Sequence, residues 1–228
     1  MFLSYSSSLQ QQNQHSLWAQ FRLTNHCRWL QGTVLYLCEK QLRVEIARFI
    51  DESLEDPLVK EAKDRWLCGT EAIWDYIEEH HKDAPDLGRP VPELSDGVVL
   101  GQLAPGMFKD RIFCLLSDAL TSKDDARQQA ALEDLEALLR QLDDWLAERE
   151  LPFIGGDAPD ATDCYLVPKL NHAVLALSKL QGWQLPEDLQ ALHKYLVLWR
   201  ERASWKESCF DESIALGFWR QKRESSQG

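Results

Sequence analysis

The most informative segment of the chain is residues 159–172, which read Pro-Asp-Ala-Thr-Asp-Cys-Tyr-Leu-Val-Pro-Lys-Leu-Asn-His. Asp160 has the chemistry of a helix N-cap, because its short carboxylate can accept a hydrogen bond from the backbone N–H three residues on. Asp163 stands at that position, where it completes a capping box and places negative charge at the positive end of the helix dipole. Pro168 interrupts the apolar residues that follow, at a cost of about 3 kcal/mol. We therefore expect a buried, capped and kinked helix around which the rest of the fold packs.

The overall composition predicts a folded protein whose main partner is not nucleic acid. Of the 228 residues, 44% are hydrophobic and 27% charged, which is ordinary for one large domain or two small ones. The net charge of −12 argues against nucleic acid or an anionic membrane surface, because both need clustered basic charge. The longest apolar stretches fall short of the roughly 18–20 residues that a membrane span requires, so no stable span is expected.

Cysteine and histidine residues predict thiols in a reducing compartment and no metal site. The six cysteines include no CxxC pair and no paired metal spacing. Cys38, Cys114 and Cys164 are expected in apolar helical surroundings, where a thiol behaves as a small hydrophobe. The adjacent histidines 80–81 would point in different directions, and His172 is expected to be a satisfied core histidine.

The first third of the chain predicts an α/β domain over residues 17–84. Residues 1–16 are rich in Ser and Gln, and we expect either a disordered tail or the remnant of a targeting segment. Alternating apolar residues predict strands over 17–23 and 44–50, with a helix between them that runs from Cys27 to about Gln41.

The remainder of the chain predicts an all-α domain over residues 98–228. It follows a linker, residues 85–97, which is marked by proline and glycine among charged residues. An apolar segment over 98–120 is interrupted at Pro105. The clearest helix spans 125–149, where a stripe of leucines lies opposite acids and arginines.

Four blocks of the chain resemble the glutathione transferase superfamily, and one of them, residues 70–73, looks like the turn that precedes the last helix of its N-terminal domain. Residues 161–170 resemble its core-helix segment, in the form seen in plant dehydroascorbate reductases and intracellular chloride channel proteins. The run Cys27-x-x-x-Gln31-x-x-x-Leu35-x-Leu37-x-Glu39-Lys40 is similar to the active-site helix of dehydroascorbate reductases, and residues 205–216 resemble the ending of the chloride channel proteins. The resemblance covers most of residues 17–220. It implies an apparently shortened α/β thioredoxin-like N-terminal domain followed by an all-α glutathione-transferase C-terminal domain.

The resemblance also implies a site. Cys27 would be the nucleophile that forms a mixed disulfide with glutathione, and a helix N-terminus favours the thiolate form of such a cysteine. Pro57 would stand where the family has a cis-proline, Asp56 would bond glutathione through its backbone, and Thr70 would bind the γ-glutamyl carboxylate. Leu30 stands three residues after Cys27, so a local dithiol mechanism is excluded and an external thiol is needed.

Simpler interpretations of the same residues remain open. Cys27 could be a structural cysteine at a helix start, Pro57 a loop proline and Thr70 an ordinary helix cap. The family's Cys-Pro-Phe is Cys-Arg-Trp at 27–29, Gly69 replaces an acidic residue, and the chain between 44 and 70 is shorter than the family requires. Asp160 and Asp163 are expected to be purely structural.

Two functions therefore follow from the sequence. The leading one is a glutathione-dependent thiol oxidoreductase of dehydroascorbate reductase type, which takes glutathione and a small oxidised substrate. The alternative is a catalytically degenerate protein of the same fold that serves as a binding or structural subunit of a larger assembly. Membrane insertion, as proposed for the chloride channel relatives, is weaker because no apolar span is present. The expected compartment is reducing, either the cytoplasm or an organelle such as the chloroplast stroma.

Overall fold

The computed structural model describes eleven parts of the chain, and the account below concerns these alone. They are residues 2–4, 20–23, 30–41, 45–49, 66–68, 74–75, 77–79, 82, 84–87, 105–209 and 211–227. The chain divides into two compact units, Met1–Leu87 and Gly88–Gly228. The predicted division into 1–16, 17–84, 85–97 and 98–228 stays a prediction.

The first unit contains a four-stranded sheet and a helix. The strands are β1 (Phe2–Ser4), β2 (Gln20–Leu23), β3 (Glu45–Phe49) and β4 (Trp66–Cys68), and helix α1 spans Leu30–Glu39. Their order across the sheet is β3-β2-β1-β4. β2 and β3 are parallel, and α1 lies between them in sequence, as in a strand–helix–strand crossover. β1 runs antiparallel to both of its neighbours.

The strands differ from the sequence prediction in position and number. The predicted strand 17–23 is described from residue 20 onwards, and the predicted strand 44–50 spans 45–49. β1 lies inside the predicted tail, and β4 was not predicted. A three-residue strand is too short to show the alternation of apolar and polar residues that predicts a strand. Its stability comes from backbone pairing with neighbours that are distant in sequence.

Helix α1 is buried over six consecutive residues, 32–37. A helix that is apolar on every side is surrounded by other structure and does not lie on a surface. Residues 74–75 and 77–79 are also helical, and Trp74 and Ile77 are buried among them. The core of this unit therefore includes both helical segments.

The described part of the second unit contains six helices, joined by loops with one isolated β-bridge between Phe153 and Gly156. They are α2 (Pro105–Thr121), α3 (Asp125–Arg149), α4 (Ala161–Gln181), α5 (Gln190–Glu201), α6 (Ala203–Ser208) and α7 (Glu212–Gln227). α2 packs against α3, α4 and α7, and α5 packs against α3. Pro105 begins α2 instead of interrupting it, because a proline at the first helical position lacks only a donor that would be unpaired there.

Aromatic side chains fill much of the core of the second unit. The Trp199 ring is fully buried and lies 5.5 Å from the Phe153 ring, 6.5 Å from that of Tyr195 and 6.4 Å from that of Trp205, measured between ring centroids. Edge-to-face and tilted pairs at such distances stabilise a core beyond the area that they bury. The loop before α4 is thereby packed against α5 and α6.

His172 on α4 has the partner expected of a core histidine. The indole N–H of Trp219 donates to its Nε2 over 2.8 Å, so that nitrogen acts as the acceptor. Trp219 is itself fully buried and lies 5.4 Å from the ring of Phe113. These contacts fix α7 against α2 and α4.

Candidate functional site

The residues predicted to carry chemistry all lie outside the described part of the chain. These are Cys27, Asp56, Pro57 and Thr70. Two of them flank described elements, since Cys27 lies three residues before α1 and Thr70 two residues after β4. The structure therefore describes the supports of the candidate site, and the roles of the four residues stay predictions.

The start of α1 is electrostatically suited to an anion. The first turn of this helix contains no acidic residue, so no carboxylate of its own offsets the positive end of the helix dipole. The helix is also buried over residues 32–37, which limits screening of its dipole by water. An anionic group placed at this end of α1 would be stabilised.

A polar cluster joins the end of α1 to the helical segment 74–79. The hydroxyl of Tyr36 donates to Oε1 of Glu78, and Nζ of Lys40 lies 2.7 Å from the same oxygen. The side chain of Lys40 is 1% exposed, and that of Glu78 is 24% exposed. The Tyr36 ring also stacks on Trp74, with centroids 4.4 Å apart. We name these four residues the Glu78 cluster.

The Glu78 cluster links the segments that lead away from the two candidate contacts. α1 follows Cys27 along the chain, and the helical residues 74–79 follow Thr70. Because Lys40 is buried, its charge depends on Glu78 for compensation, and losing one member of a buried ion pair is costly. The cluster therefore holds the two helical segments in one arrangement. Sequence reasoning did not predict it, because Glu78 is 42 residues from Tyr36 and 38 residues from Lys40 along the chain.

A second polar cluster surrounds the start of α4. The Asp160 carboxylate accepts from the backbone N–H of Asp163 over 2.9 Å, and the Asp163 carboxylate accepts in return from that of Asp160 over 3.1 Å. The backbone N–H groups of Ile154 and Gly155 donate to Asp163 over 3.0 and 2.9 Å, and the Tyr195 hydroxyl donates over 2.8 Å. Four donors thus converge on one carboxylate.

The electrostatics of this cluster follow from burial. Burial, and after it the nearby Asp160 carboxylate, raise the pKa of Asp163 to about 7, against the lowering effect of the backbone donors. Burial also raises the pKa of Tyr195, so its phenol stays protonated and remains a donor. All four of these hydrogen bonds join Asp163 to the loop, to the helix cap or to a later helix, so the carboxylate ties these parts of the fold together.

Other residues singled out in the sequence take structural positions. Cys164 is buried and Cys38 half-buried, but Cys114 is exposed, so the prediction of apolar surroundings is wrong for Cys114. Ile112, Leu116 and Ala119 form the buried stripe of α2 at helical spacing, and position 114 falls between its members.

Neither a metal centre nor a membrane span is found in the described parts of the chain. No three His, Cys, Asp or Glu residues among them are grouped so as to hold a metal ion. No helix within the ranges given above is both long enough and apolar enough to cross a bilayer.

Comparison with known proteins identifies sequences and solved structures that are similar to this chain. No family model matches the chain. It is 28% identical over 206 residues to a protein of Oryza sativa subsp. japonica described as probable cytosolic glutathione S-transferase DHAR1, which covers 84% of this chain and 88% of that one. It is 29% identical over 100 residues to the chloride intracellular channel Clic of Drosophila melanogaster, over 44% of this chain and 37% of that one. Among solved structures, Chlamydomonas reinhardtii dehydroascorbate reductase matches with a TM-score of 0.71 and 24% identity, over 90% of this chain and 97% of that one.

The class defined by these comparisons is the glutathione-transferase fold, a thioredoxin-like domain followed by a helical one, as the sequence predicted. The chain resembles the branch of the glutathione transferase superfamily that contains dehydroascorbate reductases and chloride intracellular channel proteins, and this predicted resemblance is confirmed. The shortening of the first domain stays a prediction, since residues 50–65 lie outside the described ranges.

The cluster at the start of α4 predicts a large loss of stability on removal of one carboxylate. Asp163→Ala leaves buried N–H groups and the Tyr195 hydroxyl without an acceptor, so we expect a loss of about 3–5 kcal/mol in the free energy of unfolding. Asp157→Asn is the matched control, because Asp157 is exposed in the same loop. Urea denaturation measures both, and a loss below about 1 kcal/mol for Asp163→Ala would contradict the assigned network.

The loop at residues 154–155, which supplies two of the donors to Asp163, predicts a second loss of stability. A Cβ atom at Gly155 would lie 2.7 Å from the carbonyl oxygen of Ala158 and 2.8 Å from the backbone nitrogen of Asp160. Gly155→Ala should therefore displace the loop and lower the free energy of unfolding by about 1–3 kcal/mol. Gly217→Ala, in α7, meets no atom within 4 Å and should be neutral or slightly stabilising. Equal effects of the two substitutions in urea denaturation would show that Gly155 is not constrained.

The Glu78 cluster predicts that removing the charge of Glu78 lowers the free energy of unfolding. Glu78→Gln leaves the buried Lys40 ammonium without its charged partner, and we expect a loss of about 2–4 kcal/mol. Glu79→Gln, one residue away on an exposed position, should change stability by less than about 0.5 kcal/mol. Chemical denaturation followed by tryptophan fluorescence distinguishes the two variants. If they unfold alike, the Lys40 charge is compensated elsewhere.

Proposed function

We propose that the chain is a glutathione-dependent thiol oxidoreductase of dehydroascorbate reductase type, with Cys27 as its nucleophile. The observation that carries the proposal is similarity to DHAR proteins over most of the chain, together with the fold match to a dehydroascorbate reductase. Cys27 precedes a helix whose first turn carries no acid, which favours a thiolate.

The proposed chemistry needs one protein thiol and two molecules of glutathione. Dehydroascorbate takes up two electrons and two protons to become ascorbate, and the Cys27 sulfur is left in a mixed disulfide with the first glutathione. The thiolate of the second glutathione attacks that disulfide, which releases glutathione disulfide and restores the Cys27 thiolate. The two glutathione thiols thus supply the electrons and protons.

The binding contacts proposed for glutathione lie on both sides of β4. The backbone of Asp56, before Pro57, would bond the cysteinyl part of glutathione. Thr70 would hold the γ-glutamyl carboxylate at the start of the helical segment 74–79. The Glu78 cluster supports this arrangement, because it ties that segment to the helix that follows Cys27.

Activity assays with cysteine variants test the proposal. Purified protein should reduce dehydroascorbate in the presence of glutathione, and Cys27→Ser should lower the rate more than about a hundredfold, because a hydroxyl is a far weaker nucleophile than a thiolate. Cys114→Ser is the matched control, since this exposed thiol lies on α2 in the second unit. Its rate should equal that of the unaltered chain. A Cys27→Ser variant with full activity would exclude Cys27 as the nucleophile.

Glutathione binding, measured by thermal shift on the same preparations, separates the two functions that the sequence left open. A ligand that binds the folded state raises the unfolding temperature with its concentration. Binding without turnover would favour the alternative, a catalytically degenerate binding or structural subunit. The sequence departures at Arg28, Trp29 and Gly69 favour that alternative. If the protein shows neither glutathione binding nor turnover, the oxidoreductase proposal is overturned.

The proposed compartment is a reducing one. The rice relative is described as cytosolic, and another rice relative as chloroplastic. Cys38, Cys114, Cys164 and Cys209 carry thiols in the structure, which fits a cytoplasmic or stromal setting.

A further inference from the structure

The described sheet of the first unit is held together by its earliest strand, β1, which has three residues. In the order β3-β2-β1-β4, strand β1 is interior, and it pairs with β2 along one edge and with β4 along the other. Among the described elements, β1 is the strand neighbour of β4. The remaining pair, β2 and β3, comes from the continuous strand–helix–strand segment between residues 20 and 49.

The register of β1 is continuous on both sides. Phe2 faces Arg22 on β2 and Cys68 on β4, and the next two residues keep the same alignment toward each neighbour. The pairing of β2 with β3, by contrast, contains a register shift. All three residues of β1 thus have a backbone partner in two strands, although no hydrophobic pattern in residues 1–16 predicts it.

We propose that Phe2–Ser4 is a joining strand, an integral part of the domain that connects β4 to the β2–β3 pair. Without it, the described sheet would separate into a two-stranded piece and a lone strand, and two-stranded sheets are at best marginally stable in water. The segment acts as an intramolecular form of strand addition, in which main-chain hydrogen bonds provide the affinity.

The joining strand bears on whether residues 1–16 can be removed from the protein. Both sequence interpretations of residues 1–16, a disordered tail and a targeting remnant, treat the segment as dispensable. A joining strand is not dispensable, since cleavage between Ser4 and Gln20 followed by loss of the fragment would open the sheet. Residues 2–4 are therefore retained in the working protein.

A disulfide trap tests the assignment directly. Phe2→Cys places a thiol opposite the native Cys68 in the antiparallel pair. Facing Cα atoms in such pairs are about 4.5–5.5 Å apart, within the range that a disulfide spans. Mild oxidation with diamide should convert this variant to a form linked between position 2 and Cys68, identified by peptide mass mapping and lost on reduction.

Two matched variants control the trap. Ser4→Cys faces Trp66 instead of a cysteine and should give little of the corresponding link to Cys68. Phe2→Cys combined with Cys68→Ser should lose the link. Equal linkage of positions 2 and 4 to Cys68, or no link at position 2, would overturn the assigned strand.

A stability measurement provides the second readout. Leu3→Pro removes a backbone donor from the interior strand, so it should lower the unfolding temperature more than Leu3→Ala, which keeps that donor. Equal unfolding temperatures for the two variants would contradict the proposal. If Leu3→Pro yields no folded protein while Leu3→Ala folds, that outcome supports it.

Discussion

The second unit depends on one buried carboxylate. Asp163 receives hydrogen bonds from the loop at 154–155, from its own helix cap and from Tyr195 on a later helix. A buried carboxylate cannot recover lost bonds from water, so each donor must remain in place. Burial and the neighbouring Asp160 carboxylate raise the pKa of this group to about 7 and so work against its charge, while the converging donors stabilise the charged form. The fold around α4 follows from this balance.

In the first unit, too, a single carboxylate joins separate segments of the chain. Glu78 accepts from Tyr36 and pairs with the buried ammonium of Lys40, so one carboxylate again ties two helical segments together. Among the described acidic residues, Asp163 is buried and the side chain of Glu78 is 24% exposed. Each is specific in position, because an enclosed charge needs a complete set of partners.

Local signals explain how much of the fold could be predicted. The helix over 125–149 and the capping box at Asp160 depend on residues within a few positions of one another, and the structure has both. Tyr195 and Glu78 act on residues more than thirty positions away, and no local pattern contains that information. Strand β1 could not be predicted for the same reason, because its three residues gain their stability from partner strands that are distant in the sequence. The candidate site itself was predicted by resemblance, and its chemistry rests on residues beyond the described ranges.

The departures from the family pattern differ in their physical consequences. Arg28 stands where the family has a proline that would fix the backbone at the helix start, and it adds a positive charge next to Cys27 in the sequence. If Cys27 is the nucleophile, as proposed, that exchange would preserve the electrostatic basis of its reactivity. Gly69 stands where the resemblance implies an acid for the amino group of glutathione, and its absence would weaken the proposed binding without altering the sulfur. Under the proposed function, these sequence changes would therefore bear on recognition of glutathione more than on reactivity. The first turn of α1, which carries no acid, agrees with that distinction.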